Sequence, residues 1–218
     1  LARSHGISMA DGGARSSFPA GHRVLAEWQS AQLRDIVGGM LRYSTNLTAE
    51  VVGLSATRAL GGEVSNLRES GAHMASWFQE HVRMPRASFL DHSGLGDLSR
   101  VSAFAMAGAL RQLGPSVDLA SLMKTAPMLD RAGNAIRNSP AQVRAKTGTL
   151  NFVSALGGYI TAPDGRELVF AIFCADTARR AGLSKAQRER PDGGRSWTRR
   201  ARKLHGQLLA RWAAIYSV

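Results

Sequence analysis

Apolar residues recur every three or four positions along the first half of the chain and every second position further on, so helices come first and strands later. Leu25, Trp28, Leu33, Ile36, Val37, Met40 and Leu41 predict a helix that ends near Tyr43, and a second helical pattern restarts after Asn46 and runs through Val51 and Leu54. A third follows from Met74, Trp77, Phe78, His81 and Val82, closed by Pro85. The stretch "DHSGLGDLS" is rich in turn formers. After it, Ser99 or Ser102 is placed to cap a helix running to Leu113, before Gly114-Pro115 stops it. Val143 to Leu150, Ser154 to Thr161 and Glu167 to Cys174 then read as strands, with "APDG" at 162–165 turning the chain between the last two. Trp197, Leu204, Leu208, Leu209 and Trp212 predict a closing helix over Arg195 to Tyr216. Helices, a strand meander and a final helix define an α+β fold, an α/β sandwich in which an antiparallel sheet is flanked by helices. Residues 1–24 are rich in Gly, Ser and Ala and carry no sustained period, so they read as the tail of something upstream; residues 25–218 form one domain.

Composition narrows the functional classes. At 218 residues and 44% hydrophobic the chain can bury one sizeable core. The formal charge is +12, carried by 24 arginines and four lysines. Its densest part, Arg179 to Lys203, holds ten basic residues against Glu189 and Asp192. Its one aromatic residue, Trp197, belongs to the apolar stripe of the closing helix pattern, so no aromatic interleaving supports base stacking and the run reads as a solvated loop and an outer helix face, with no nucleic-acid partner. Cys174 is alone within "LVFAIFCADT" and reads as a small core hydrophobe. The six histidines never fall at metal-ligand spacing, so no metal is expected. No apolar run reaches the roughly 18 residues of a membrane span, and no signal-like segment opens the chain.

Two short polar motifs remain. Ser44-Thr45-Asn46 falls at the junction of two predicted helices, and Lys146-Thr147-Gly148, followed by Thr149, falls on the first long strand. Taken singly, each has an ordinary explanation: Ser44 and Asn46 suit a helix cap, and a lone strand lysine guards an edge against aggregation. Asn46-Leu47-Thr48 also matches a glycosylation acceptor, which the overlapping motif displaces. Asp91, Ser93 and Gly94 are assigned to shaping a loop.

In this order the two motifs resemble the Ser-x-Asn and Lys-Thr-Gly signatures that accompany a Ser-x-x-Lys nucleophile in penicillin-recognising serine acyltransferases. The stretches "MLRYSTNLTAEVVG", "DHSGLGDLSR" and "VRAKTGTLNFVSALGGYI" are similar to the C-terminal half of class C low-molecular-mass penicillin-binding proteins, the D-alanyl-D-alanine carboxypeptidase/endopeptidase family. The resemblance implies an incomplete β-lactamase/transpeptidase-like domain. It makes residues 1–24 the end of an inserted accessory domain and the location periplasmic. It also implies stem peptides of peptidoglycan ending in D-Ala-D-Ala as substrates, β-lactams as inhibitors, and no cofactor. By the same resemblance Ser44 relays a proton toward the leaving group and Asn46 holds the substrate amide. Lys146 supplies fixed positive charge, and Thr147 and Thr149 bind the terminal carboxylate. Gly148 admits the ligand closely, and the Thr149 N–H is half of an oxyanion hole.

One string in the chain fits Ser-x-x-Lys, "SLMK" at Ser121 to Lys124. In the family the nucleophile precedes Ser-x-Asn, whereas Ser121 follows it, so this match is read as a decoy on a surface helical turn. The attacking serine is then expected in a missing N-terminal part of the same protein, without which this chain is inactive. The alternative is a non-catalytic fragment that binds peptidoglycan peptides.

Overall fold

The computed structural model describes residues 23, 26–82, 87–130, 134–184, 186–188 and 190–216. The chain divides after Ala31, and the elements below all belong to the unit Gln32–Val218. The expected tail, residues 1–24, lies outside the described residues apart from Arg23.

Helix α1 spans Leu33–Tyr43, and α2 follows at Asn46–Ala59. The sequence reading started α1 too early: Leu25 lies outside the described residues, and Trp28 is non-helical and 90% exposed. The reason is spacing, because Leu33 follows Trp28 by five positions, which breaks the stripe that Leu33, Ile36, Val37, Met40 and Leu41 keep. Helix α3 covers Leu67–Val82, where the expected pattern lies; its proposed stop, Pro85, is outside the described residues. Ser102 is the residue that caps α4, Ala103–Leu113, its side chain accepting from the Ala105 N–H at 3.0 Å. Ser99 instead accepts from the Leu90 N–H and closes the intervening loop.

After Pro115 come a short helix α5, Leu119–Leu122, and a three-residue strand β1, Lys124–Ala126. Three nine-residue strands follow, β2 Gln142–Leu150, β3 Val153–Thr161 and β4 Glu167–Ala175, all antiparallel in the order β1-β2-β3-β4. The Ala162–Gly165 turn works as expected: Gly165 holds φ at 86° and donates to the Ala162 carbonyl. A short helix α6, Thr177–Ala181, and the long α7, Gly194–Ile215, complete the unit.

The sheet is covered on both faces, and period-two burial explains which residues meet which helix. Val143, Ala145, Leu156, Ile160, Phe170 and Ile172 pack with Leu209 and Ala213 of α7. On the opposite face Tyr159 packs with Leu110 of α4 and Met123. The Tyr159 hydroxyl donates at 2.9 Å to the Leu110 carbonyl, which also accepts the Gly114 N–H at the end of α4. Cys174 is half-buried against the α7-side core with its Sγ 3.5 Å from His205 Nε2, and burial pushes its thiol pKa up, which suits a small hydrophobe and not a nucleophile.

Candidate active site

The Ser-x-Asn junction depends on one backbone irregularity. Helix α1 ends because Ser44 turns left-handed, with φ 55° and ψ 47°, while its N–H still donates to the Met40 carbonyl at 2.8 Å. That conformation costs a non-glycine residue on the order of 1–3 kcal/mol. Thr45 is extended and α2 restarts at Asn46, so Ser44 and Asn46 both stand exposed on a tight corner between two helices. The N-cap of α2 is Thr45, whose side chain makes no cap hydrogen bond, and the Ser44 hydroxyl is turned to Lys146 instead.

The corner abuts the sheet. Lys146 Nζ donates to Ser44 Oγ at 2.5 Å across 102 positions of sequence, and to the Thr147 carbonyl at 2.6 Å. Lys146 is half-buried, and burial pulls its pKa below the ordinary lysine value of 10.5 by disfavouring the ammonium. The Ser44 hydroxyl and this partly desolvated amine therefore form a pair through which a proton can pass. Thr147, Gly148 and Thr149 continue the strand and are exposed. The reason lies in β1, which pairs only Val143, Arg144 and Ala145. From Lys146 onward, the edge of β2 away from β3 has no partner strand among the described residues. Gly148 is not demanded by its interior surroundings, since an added Cβ would meet Ala155 at 3.4 Å, an ordinary contact.

Several polar contacts fix the helical corner relative to the strand. Arg34 of α1 donates to the Val117 carbonyl at 2.9 Å, to Asp118 at 3.1 Å and to Ser121 Oγ at 2.9 Å. The segment that receives α1 leads directly into β1 and so onto β2. Ser121 is thereby accounted for: its hydroxyl donates to the Asp118 carbonyl at 2.9 Å and accepts from Arg34. Helix α5 ends at Leu122 and Lys124 begins β1, so Ser121 and Lys124 do not share one helical face as a working Ser-x-x-Lys pair must.

The loop expectation for Asp91 also holds, its carboxylate accepting from the N–H groups of Gly94 at 2.8 Å and Gly96 at 2.5 Å. Glu50 was missed. It receives the backbone N–H groups of His92 and Ser93, and the available signal was its position four residues after Asn46 on the same helix. The arginines 195, 199, 200 and 202 of α7 are exposed, as expected of a solvated face. Among the described residues there is no cluster that could hold a metal ion and no helix long and apolar enough to cross a membrane.

An antiparallel sheet covered by helices, with a cationic strand facing a serine corner beside an open strand edge, is the architecture of a penicillin-binding domain. The chain belongs to the D-Ala-D-Ala carboxypeptidase 3 (S13) family, which matches residues 2–199. A carboxypeptidase of Mycobacterium tuberculosis is 31% identical over 170 residues, covering 72% of this chain and 37% of that protein. The chain thus spans well under half the length of this curated relative. Penicillin binding protein 4 of Haemophilus influenzae, solved with a β-lactam, superposes with a TM-score of 0.62 at 20% identity over 95% of this chain and 48% of the other. A predatory endopeptidase of Bdellovibrio bacteriovorus, solved with its immunity protein, gives a TM-score of 0.57 at 20% identity over 96% and 54%. At those identities the two structures establish the fold, which agrees with the expected sheet flanked by helices.

Proposed function

We propose that this chain supplies the Ser-x-Asn and Lys-Thr-Gly walls of a serine D-Ala-D-Ala carboxypeptidase, with endopeptidase action on peptidoglycan crosslinks as an additional capacity. The carrying observation is the 2.5 Å contact between Lys146 Nζ and Ser44 Oγ, which joins the two motifs into one site. The nucleophilic serine of the Ser-x-x-Lys motif lies outside this chain, in the N-terminal part of the same protein. That serine attacks the carbonyl carbon of the penultimate D-alanine. The negative oxygen then meets the Thr149 N–H, and a proton reaches the departing D-alanine nitrogen through Ser44, with Lys146 beside it. Water later cleaves the acyl-enzyme. Asn46 holds the substrate amide, and Thr147 and Thr149 hold its terminal carboxylate.

The open edge of β2 supports this reading, because an extended peptide can pair there as an added strand. Gly148 has no interior reason to lack a side chain, which supports a role in letting that peptide approach. The substrates are stem peptides of peptidoglycan ending in D-Ala-D-Ala, β-lactams act as acylating inhibitors, and the location is periplasmic. Residues 1–24 form the end of an accessory domain inserted ahead of the Ser-x-Asn corner.

Mass spectrometry of the polypeptide carrying this chain, after incubation with benzylpenicillin, tests the reading. The expected adduct maps to a Ser-x-x-Lys serine preceding residue 1. An adduct on Ser121, or none on any serine, overturns it. The rival reading, a non-catalytic binder, draws on the engaged state of Ser121 and predicts saturable binding of D-Ala-D-Ala peptides without release of D-alanine.

A further inference from the structure

Glu50 stands one helical turn beyond Asn46, so the two side chains rise from the same face of α2. Its Oε2 accepts from the His92 N–H and its Oε1 from the Ser93 N–H, each at 3.1 Å. Burial pushes this carboxyl upward, but the Ser93 hydroxyl and the two backbone donors outweigh it and leave the pKa below the ordinary 4.5. The loop so gripped is stiff within itself, because Asp91 takes the Gly94 and Gly96 N–H groups and Ser99 takes that of Leu90. Beneath it, His92 Nε2 lies 2.8 Å from Ser70 Oγ, which in turn lies 2.7 Å from Thr57 Oγ1. The His92 ring sits where α2 has Gly53, and a Cβ there would stand 2.0 Å from it.

The far end of the loop points to the other wall. Asp97 pairs with Arg188 at 3.3 Å, the Arg188 carbonyl accepts from Asn151 Nδ2, and the Asn151 carbonyl accepts from Arg180 at 3.2 Å. Asn151 opens the turn between β2 and β3, directly after the strand that carries Lys146 to Thr149. Polar contacts therefore run from beneath Asn46, through a stiff loop, to the end of the lysine strand.

We propose that Glu50 is a positioning residue: it fastens the 90–97 loop to α2 beneath Asn46, and that loop, through Asp97, Arg188 and Asn151, sets the separation between the Asn46 corner and the Lys146 strand. Its effect on catalysis rests on the activity proposed above, whereas its mechanical part does not. A carboxylate that merely satisfied two loop amides would, when lost, loosen that loop alone. A carboxylate that spaces the two walls would, when lost, also loosen the β2–β3 turn and slow the chemistry.

The test uses the polypeptide that carries this chain and compares Glu50→Gln, Glu50→Ala, Arg188→Ala and the Glu50→Gln/Arg188→Ala pair. Glutamine keeps the volume and one acceptor but turns an NH2 group toward the second amide. Amide hydrogen exchange is expected to quicken at His92 and Ser93 in each Glu50 variant, and also in the segment 146–153. Acylation by a fluorescent penicillin is expected to fall about ten- to a hundredfold for Glu50→Ala, the scale of a displacement near 1 Å, with Glu50→Gln between it and wild type. The paired variant should be no slower than its worse single parent, because both changes cut one connection. Exchange confined to residues 90–97, or losses that multiply in the pair, overturns the proposal. If the wild type takes up no penicillin, the proposed activity falls, and the exchange comparison alone decides the mechanical link.

Discussion

Replacing Lys146 by methionine tests the site at its centre. The change keeps an unbranched apolar stem only one atom shorter while removing a cation that donates at 2.5 Å to Ser44 and at 2.6 Å to the Thr147 carbonyl. A hydrogen bond from a charged donor is worth about 1.5–3 kcal/mol. A unit charge about 4 Å from a developing oxyanion contributes about 4 kcal/mol at an effective dielectric near 20. Lys146 is only half-buried, so solvent screens part of this, and a loss of about 2–4 kcal/mol corresponds to acylation roughly thirty to a thousand times slower. Stability should move the other way. Burial lowers the folded-state pKa of Lys146 below 10.5, so at any pH below that lowered value the folded protein carries the whole cost of desolvating the ammonium. That cost fades as pH rises through the lowered value toward 10.5. Methionine removes it, and the melting temperature at neutral pH should hold or rise. Acylation by a fluorescent penicillin, with thermal unfolding on the same samples, measures both. The alkaline fall in the wild-type rate should begin below the ordinary lysine pKa and be missing from the variant. A rate within threefold of wild type, or a lower melting temperature, refutes this account of Lys146.

Other substitutions test the supporting geometry. Ser44→Gly should raise stability relative to Ser44→Ala by about 1 kcal/mol, since only glycine takes φ near 55° without strain, while both lose activity with the hydroxyl; chemical denaturation and acylation rates check the pair. Ser121→Ala should leave acylation unchanged and cost no more than about 1 kcal/mol, because the contacts it loses with Arg34 and Asp118 lie at the surface. Gly114→Ala should strongly destabilise the fold, its new Cβ standing 1.8 Å from the Tyr159 hydroxyl, and adding Tyr159→Phe should recover part of the loss in a thermal melt. Glu50 contributes stability that is fully present above pH 4.5 and lost as pH falls through its lowered folded-state pKa, so Glu50→Gln should flatten the acid limb of a stability–pH curve.

The three long strands were readable because Val143, Ala145, Leu156 and Ile160 alternate with residues that face elsewhere, and a period of two survives any tertiary context. Strand β1 was not readable: Lys-Thr-Ala is too short to show a period, and only its pairing with β2 makes it a strand. The serine corner was legible as two motifs in the right order, yet the left-handed Ser44 that forms it was not, because serine carries no preference for that conformation. Glu50 escaped for a different reason. Its spacing from Asn46 marks it as sharing that residue's helix face, but what it grips, two backbone amides of a distant loop, appears only when the fold puts Glu50 and His92 together. The early start assigned to α1 came from accepting Trp28 into a stripe whose interval it breaks.

The shortness of β1 has a consequence for how this protein can change. Two more paired residues at its leading end would cover Lys146 and Thr147, closing the groove with the protein's own backbone without altering a single reactive side chain. Access to the lysine is thus governed by where a neighbouring strand stops, and lengthening that strand would silence the site while every residue credited with chemistry stayed in place.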